Sequence, residues 1–159
     1  MQNHPIKPVF NAESEILILG SFPSVASRNE FFFYGHPRNR FWRVICAVLE
    51  SDLPGTTDEK CSLLLNNGIA LWDVIASCDI TGSADSSIRN VVPTDLSVIL
   101  ATADIKAIFV NGTTALRYYN KFQYEKTKRE AVLLPSTSPA NAKYSFDSLV
   151  SAWSVIRSV

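Results

Sequence analysis

The stretch Ile16-Leu17-Ile18-Leu19-Gly20-Ser21-Phe22-Pro23-Ser24 holds four aliphatic residues in a row, then a glycine, then a polar segment. An apolar run this short, with no period-two alternation, reads as a strand buried on both faces, as in a parallel sheet covered by helices. Three further runs repeat the pattern: Ile69-Ala70-Leu71-Trp72, Ala107-Ile108-Phe109-Val110 and Ala131-Val132-Leu133-Leu134. Asp73, Asn111-Gly112 and Pro135 punctuate them. Helical patterns fill the gaps. Residues 40–50 carry Phe41, Val44, Ile45 and Val48 on one face. Residues 57–67 begin with Thr57 as a cap and Asp58 and Glu59 in the first turn. Residues 95–103 and 113–122 suit helices. Residues 142–158 suit a last one, with Tyr144, Leu149, Trp153 and Ile156 on its apolar side. Residues 1–13, with His4-Pro5 and Lys7-Pro8, suit an extended lead-in, and residues 21–40 and 79–94 read as long polar loops. The expected fold is α/β: a three-layer α/β/α sandwich around a short, mostly parallel four-stranded sheet, as a single domain over residues 1–159.

In an open α/β sheet, ligands lie outside the carboxyl ends of the strands. Residues 20–40, 73–90, 111–114 and 135–141 should therefore converge on one edge, and function should be sought there. Fifteen basic residues balance fifteen acidic ones. A net charge of zero excludes strong non-specific attraction to phosphate backbones, so any nucleic-acid contact must be local. Arg28, Arg38, Arg40 and Arg43 supply such a local charge. Cys46, Cys61 and Cys78 form no CxxC pair and are too few for a thiolate cluster, which suits free thiols in a reducing cytoplasm. No apolar run approaches transmembrane length, and no signal pattern opens the chain. Only His4 and His36 are histidines, and there is no GxSxG elbow, Walker loop or GxGxxG. Hydrolases with a serine triad, P-loop enzymes and dehydrogenases are disfavoured, and no metal or cofactor is expected.

The most specific signal is Tyr34-Gly35-His36-Pro37-Arg38-Asn39-Arg40-Phe41-Trp42. Together with Gly20-Ser21-Phe22-Pro23-Ser24 and Leu134-Pro135-Ser136-Thr137-Ser138-Pro139-Ala140-Asn141, it resembles the uracil-DNA glycosylase superfamily. The similarity extends to the mismatch-specific uracil-DNA glycosylases. It is closer to the hypoxanthine-DNA (deoxyinosine) glycosylase branch, and it spans residues 16–153. The resemblance implies a DNA repair enzyme that flips a deaminated base out of the duplex and cleaves its glycosidic bond.

One departure bears on mechanism. Most of the superfamily places a water-activating Asn or Asp two residues after the first-loop glycine, where this chain has Phe22. The resemblance to the hypoxanthine branch assigns that task to Asn39, whose carbonyl would align a water toward C1′ of the sugar. Asn39 also suits the N-cap of the helix beginning near residue 40. By position, Tyr34 is the candidate base-stacking ring, with Phe33 second. Phe22, Gly20 and Ser21 would line the base site. Asp73 follows the second strand where uracil-excising relatives often carry an Asn. Its carboxylate would accept the N–H of a lactam such as hypoxanthine and repel adenine, which presents an acceptor there. Leu134 replaces a histidine that serves the pyrimidine carbonyl in relatives, which weakens uracil excision as the main activity. Ser24, Arg38, Arg40, Ser136, Thr137 and Ser138 are the candidate DNA-backbone contacts. Asn141 also suits a helix cap.

The resulting expectation is a monofunctional, monomeric glycosylase that removes hypoxanthine from deoxyinosine in DNA and leaves an abasic site. Two alternatives stand beside it: a uracil or mismatch-specific glycosylase, and a non-catalytic relative that binds DNA or a nucleobase.

Overall fold

The computed structural model describes residues 1–159. The strands are β1 (Gln2–Asn3), β2 (Ile16–Gly20), β3 (Ile69–Asp73), β4 (Ile75–Asp79), β5 (Arg89–Pro93), β6 (Ala107–Asn111) and β7 (Ala131–Leu134). The helices are α1 (Val25–Glu30), α2 (Phe41–Leu49), α3 (Thr57–Asn66), α4 (Ser97–Leu100), α5 (Thr113–Tyr118), α6 (Tyr124–Thr127) and α7 (Phe146–Trp153). A π-helical segment, Tyr119–Gln123, joins α5 to α6.

The four apolar runs form one parallel sheet in the order β3-β2-β6-β7. Along β2, Ile16 and Ile18 enter one core and Leu17 and Leu19 the other. This is why no alternation is visible in the sequence: successive side chains point to opposite faces, and both faces are dry. On the first face, Phe41, Val44, Ile45 and Val48 of α2 pack with Leu64 of α3 and with Leu149 and Trp153 of α7. On the second face, Leu96 and Ile99 around α4 and Ala115 and Tyr118 of α5 pack with Ile75 and Cys78 of β4. The expected α/β/α layering is present. No helix is long and apolar enough to cross a membrane.

The second face also carries an antiparallel sheet, β1-β4-β5, which corrects the reading of residues 79–94 as a plain loop. Two register shifts interrupt the β4–β5 pairing, one between Ile75 and Ser77 and one between Ser77 and Asp79. Bulges of this kind erase the period-two pattern by which an exposed strand is recognised. The loop after β2 likewise contains α1, whose N-cap Ser24 accepts from the Ser27 amide at 3.1 Å. Other boundaries shift. Thr56 rather than Thr57 caps α3. The expected helix over residues 95–103 shortens to four residues. Ser145, not Asn141, caps α7, and Tyr144 lies outside it. Beyond Trp153 the chain tightens to a 3-10 turn, Ser154–Ser158.

Candidate active site

The strand register assembles the carboxyl edge. Gly20 ends β2 directly beside Asp73 at the end of β3, and Asn111 ends β6 beside Leu134 of β7. Asp73 is 3% exposed, so its carboxylate needs a partner. His4 provides it: Nε2 lies 2.7 Å from Asp73 Oδ2, and both side chains are almost fully enclosed. The Ile6 amide donates to His4 Nδ1 at 3.2 Å, so that nitrogen is the acceptor and Nε2 carries the hydrogen. His4 is therefore a donor to the carboxylate.

The other oxygen, Asp73 Oδ1, faces Gly20 and Tyr34. A Cβ on Gly20 would collide with Oδ1 and stand 2.9 Å from the Tyr34 hydroxyl. The glycine is needed here for close approach. Tyr34 takes a left-handed backbone, φ 55°, which turns its ring onto Phe41. The rings are stacked at 4.0 Å between centroids and 17° between planes. The Tyr34 hydroxyl is sealed from solvent without a hydrogen-bond partner. Burial first, and the neighbouring Asp73 charge second, push the phenol well above its ordinary range. The Asn111 carboxamide opposes the shift from nearby without a bonding geometry. Tyr34 thus remains a neutral donor.

Around this centre stand His4, Phe22, Phe33 and Trp72, with the His4 ring 5.9 Å from Phe22, edge-on, and 6.0 Å from Phe33. Phe22 is half-buried beneath the Arg28 guanidinium, 5.5 Å from its ring. Phe33 is 2% exposed and belongs to the core, which removes it as a stacking ring for a base. Tyr34 is partly exposed, and Ser21, which follows Gly20 in the first loop, is half-buried.

Asn39 is half-buried on the adjoining loop. Its Oδ1 accepts from the Phe41 amide at 2.9 Å, although the N-cap itself is Arg40, whose side chain does not cap. The same Phe41 that Asn39 anchors is the residue on which Tyr34 stacks. One lone pair of the Asn39 carbonyl remains for a further donor.

The last loop is bound to this segment from within. The Arg40 amide donates to Thr137 O at 3.0 Å, and its guanidinium donates to Tyr144 O at 2.7 Å and Asn141 O at 3.0 Å. Thr137 is fully buried and exchanges two hydrogen bonds with Asn111, at 3.0 and 3.1 Å. Arg40 and Thr137 therefore hold loops together; neither presents its polar group freely to a phosphate. Ser136 and Ser138 Oγ accept from the Ser138 and Ala140 amides, which shapes a tight turn. Arg38 is exposed.

Two residues of this edge escaped the sequence reading. His4 lies 69 positions from Asp73, inside a segment that looks like a lead-in. Asn111 was located at the right edge but read as punctuation, and nothing local shows that its side chain faces Thr137.

The carboxyl edge of this parallel α/β sheet thus carries a buried carboxylate, a stacked aromatic pair and polar loops, at the place where open α/β folds hold their ligands. The sequence model of the uracil DNA glycosylase superfamily matches residues 7–157, and the chain belongs to that superfamily. It is 31% identical to the hypoxanthine DNA glycosylase of Methanosarcina barkeri over 159 aligned residues, 96% of each chain. It is 34% identical to the hypoxanthine DNA glycosylase of Methanosarcina acetivorans over 143 residues, covering 86% of this chain and 87% of the relative. The fold matches a solution NMR structure from Methanosarcina acetivorans, described as a candidate uracil DNA glycosylase, with a TM-score of 0.79, 29% identity and 96% coverage of both chains.

Proposed function

We propose that this protein is a monofunctional DNA glycosylase that releases hypoxanthine from deoxyinosine and leaves an abasic site. The carrying observation is the buried Asp73 carboxylate, one oxygen held by His4 and the other facing Gly20 and Tyr34. Hypoxanthine presents an N1–H donor beside its C6 carbonyl. Oδ1 would accept that N–H in a site of low dielectric, where a charged hydrogen bond contributes about 1.5–3 kcal/mol. Adenine places a lone pair there and is repelled. Guanine shares the N–H, so its 2-amino group must be excluded sterically or by the cost of an unpaired polar group.

The flipped base would stack on Tyr34, which is backed by Phe41. The C1′–N9 bond breaks with its electron pair going to the purine, which takes up a proton from solvent as it departs and leaves an oxocarbenium-like sugar. A water held by the Asn39 carbonyl adds its oxygen to C1′ and loses a proton to solvent. Asn39 positions and does not act as a base, because an amide does not take up protons near neutrality. Ser24, Arg38, Ser136 and Ser138 border the DNA strand, while Arg40 and Thr137 shape the loop from behind. Buried, unpaired Cys46 and Cys78 suit a protein working in the reducing cytoplasm.

The test is abasic-site formation on duplexes carrying inosine, uracil or xanthine, read by alkaline strand cleavage on a gel. Inosine should be processed fastest, and Asn39→Ala should lose at least a hundredfold. Uracil offers the same N–H and carbonyl edge to Asp73. Robust uracil release without hypoxanthine release would assign the site to that pyrimidine instead. Binding without release of any base, unchanged in Asn39→Ala, would make the protein a non-catalytic relative.

A further inference from the structure

We infer that His4, on the N-terminal segment, is a positioning residue for base excision, because it fixes the plane of the Asp73 carboxylate that meets the base. The inference rests on the reading of Asp73 as the lactam acceptor. The terminal torsion of an aspartate is soft and roughly two-fold, so packing alone does not decide where its two oxygens point. The His4 Nε2–H at 2.7 Å captures Oδ2 and thereby leaves Oδ1 toward Gly20 and Tyr34. The imidazole is itself fixed, because its Nδ1 accepts the Ile6 amide. With Nδ1 occupied as an acceptor, Nε2 presents its hydrogen to Oδ2, and Oδ1 stays free to accept from another donor.

The backbone around His4 is held on both sides. Gln2 and Asn3 pair with Cys78 and Ser77 of β4, and the His4 amide donates to Ala76 O at 2.8 Å. Five residues on, Val9 exchanges two 2.9 Å hydrogen bonds with Leu71 of β3. Residues 2–9 thus lie across the β3–β4 corner and bring His4 over the end of β3. The segment is a component of the site, although no part of the carboxyl-edge loops encodes it.

The experiment is single-turnover excision of hypoxanthine with enzyme in saturating excess, beside affinity for an abasic-site duplex. Under these conditions a smaller folded fraction does not lower the rate constant, so a purely structural role leaves it unmoved. His4→Phe keeps the aromatic shape among Phe22, Phe33 and Trp72 but has no donor. It should lower the rate constant about ten- to a hundredfold, the usual effect of losing a group that orients a reactive one. Abasic-site affinity should stay within about threefold, since DNA-backbone contacts are untouched. His4→Gln, whose amide nitrogen reaches the place of Nε2, should recover most of the rate.

Should His4→Phe prove too unstable to purify, His4→Asn replaces it: its shorter amide falls short of Asp73, and the same contrast with Gln applies. Wild-type rates in His4→Phe or His4→Asn, with Asp73→Asn inactive, overturn the role of His4 and leave the acceptor reading intact. A wild-type rate in Asp73→Asn overturns the acceptor reading and this inference with it. Equal losses in His4→Gln and His4→Phe overturn the inference as well, because donor recovery is its signature.

Discussion

Removing one oxygen atom should make this protein more stable. The Tyr34 hydroxyl is enclosed and has no hydrogen-bond partner, with the Asp73 carboxylate beside it. A buried polar group left unsatisfied costs about 1–3 kcal/mol of desolvation that nothing offsets. Tyr34→Phe deletes that group and keeps the ring stacked on Phe41 at 4.0 Å. The space vacated is that of a single oxygen, so the cavity penalty is small, well under the cost of losing a methyl group. The net gain is about 1 kcal/mol. For a domain of about this size that corresponds to a rise of about 2–4 °C in Tm. The assay is thermal unfolding by circular dichroism at neutral pH, wild type beside variant. A fall in Tm of similar size would mean that the hydroxyl has a partner and that the orphan assignment is wrong.

The same hydroxyl has a pH signature. Its pKa in the fold is raised, by burial and then by Asp73, above the ordinary phenol value of about 10. The native state therefore holds a proton that the unfolded chain gives up, and Tyr34 makes stability fall as pH rises above about 10. The contribution is flat at neutral and acid pH. Tyr34→Phe should lose that alkaline slope, which unfolding curves between about pH 9 and 11 would read.

Four other variants have expected outcomes. Gly20→Ala should cost about 1–3 kcal/mol by overpacking and abolish most hypoxanthine release, because its methyl meets Asp73 Oδ1 and the Tyr34 hydroxyl; unfolding curves and the excision gel check both. Asn39→Ala should lower stability by about 1 kcal/mol, the usual worth of a side chain that accepts a helix-terminal amide. Its excision loss should be far larger than that, and a variant that kept full activity would end the role of Asn39. Thr137→Val removes the hydroxyl that the Asn111 amide donates to, so it should cost about 1–3 kcal/mol in chemical denaturation. It should leave the salt dependence of DNA binding unaltered, whereas Arg38→Ala should reduce that dependence if Arg38 meets a phosphate.

Much of the architecture was legible locally. The strands at residues 16–20, 69–73 and 107–111 are aliphatic because both of their faces are covered, whereas the edge strand at 131–134 leaves Val132 and Leu133 exposed; each of the four ends at or just before a Gly, Asp, Asn or Pro. That periodicity is a property of short windows, so one sequence suffices to read it. The loop motifs were legible for a related reason. Gly20, Tyr34, Asn39 and Asp73 stand at strand ends or loop positions that the parallel topology must bring to one edge.

What tertiary structure alone decided is which polar atoms meet. Asp73 reads as a free acceptor until His4, 69 positions away, takes one of its oxygens. Thr137 and Arg40 read as surface groups until Asn111, Asn141 and Tyr144 turn them inward. The antiparallel pair β4–β5 stayed hidden because its bulges remove the alternation that marks a strand. Hydrophobic pattern is set by burial of whole faces and repeats along the chain. A hydrogen bond between distant side chains depends on a register and a rotamer that leave no trace in the residues around either partner.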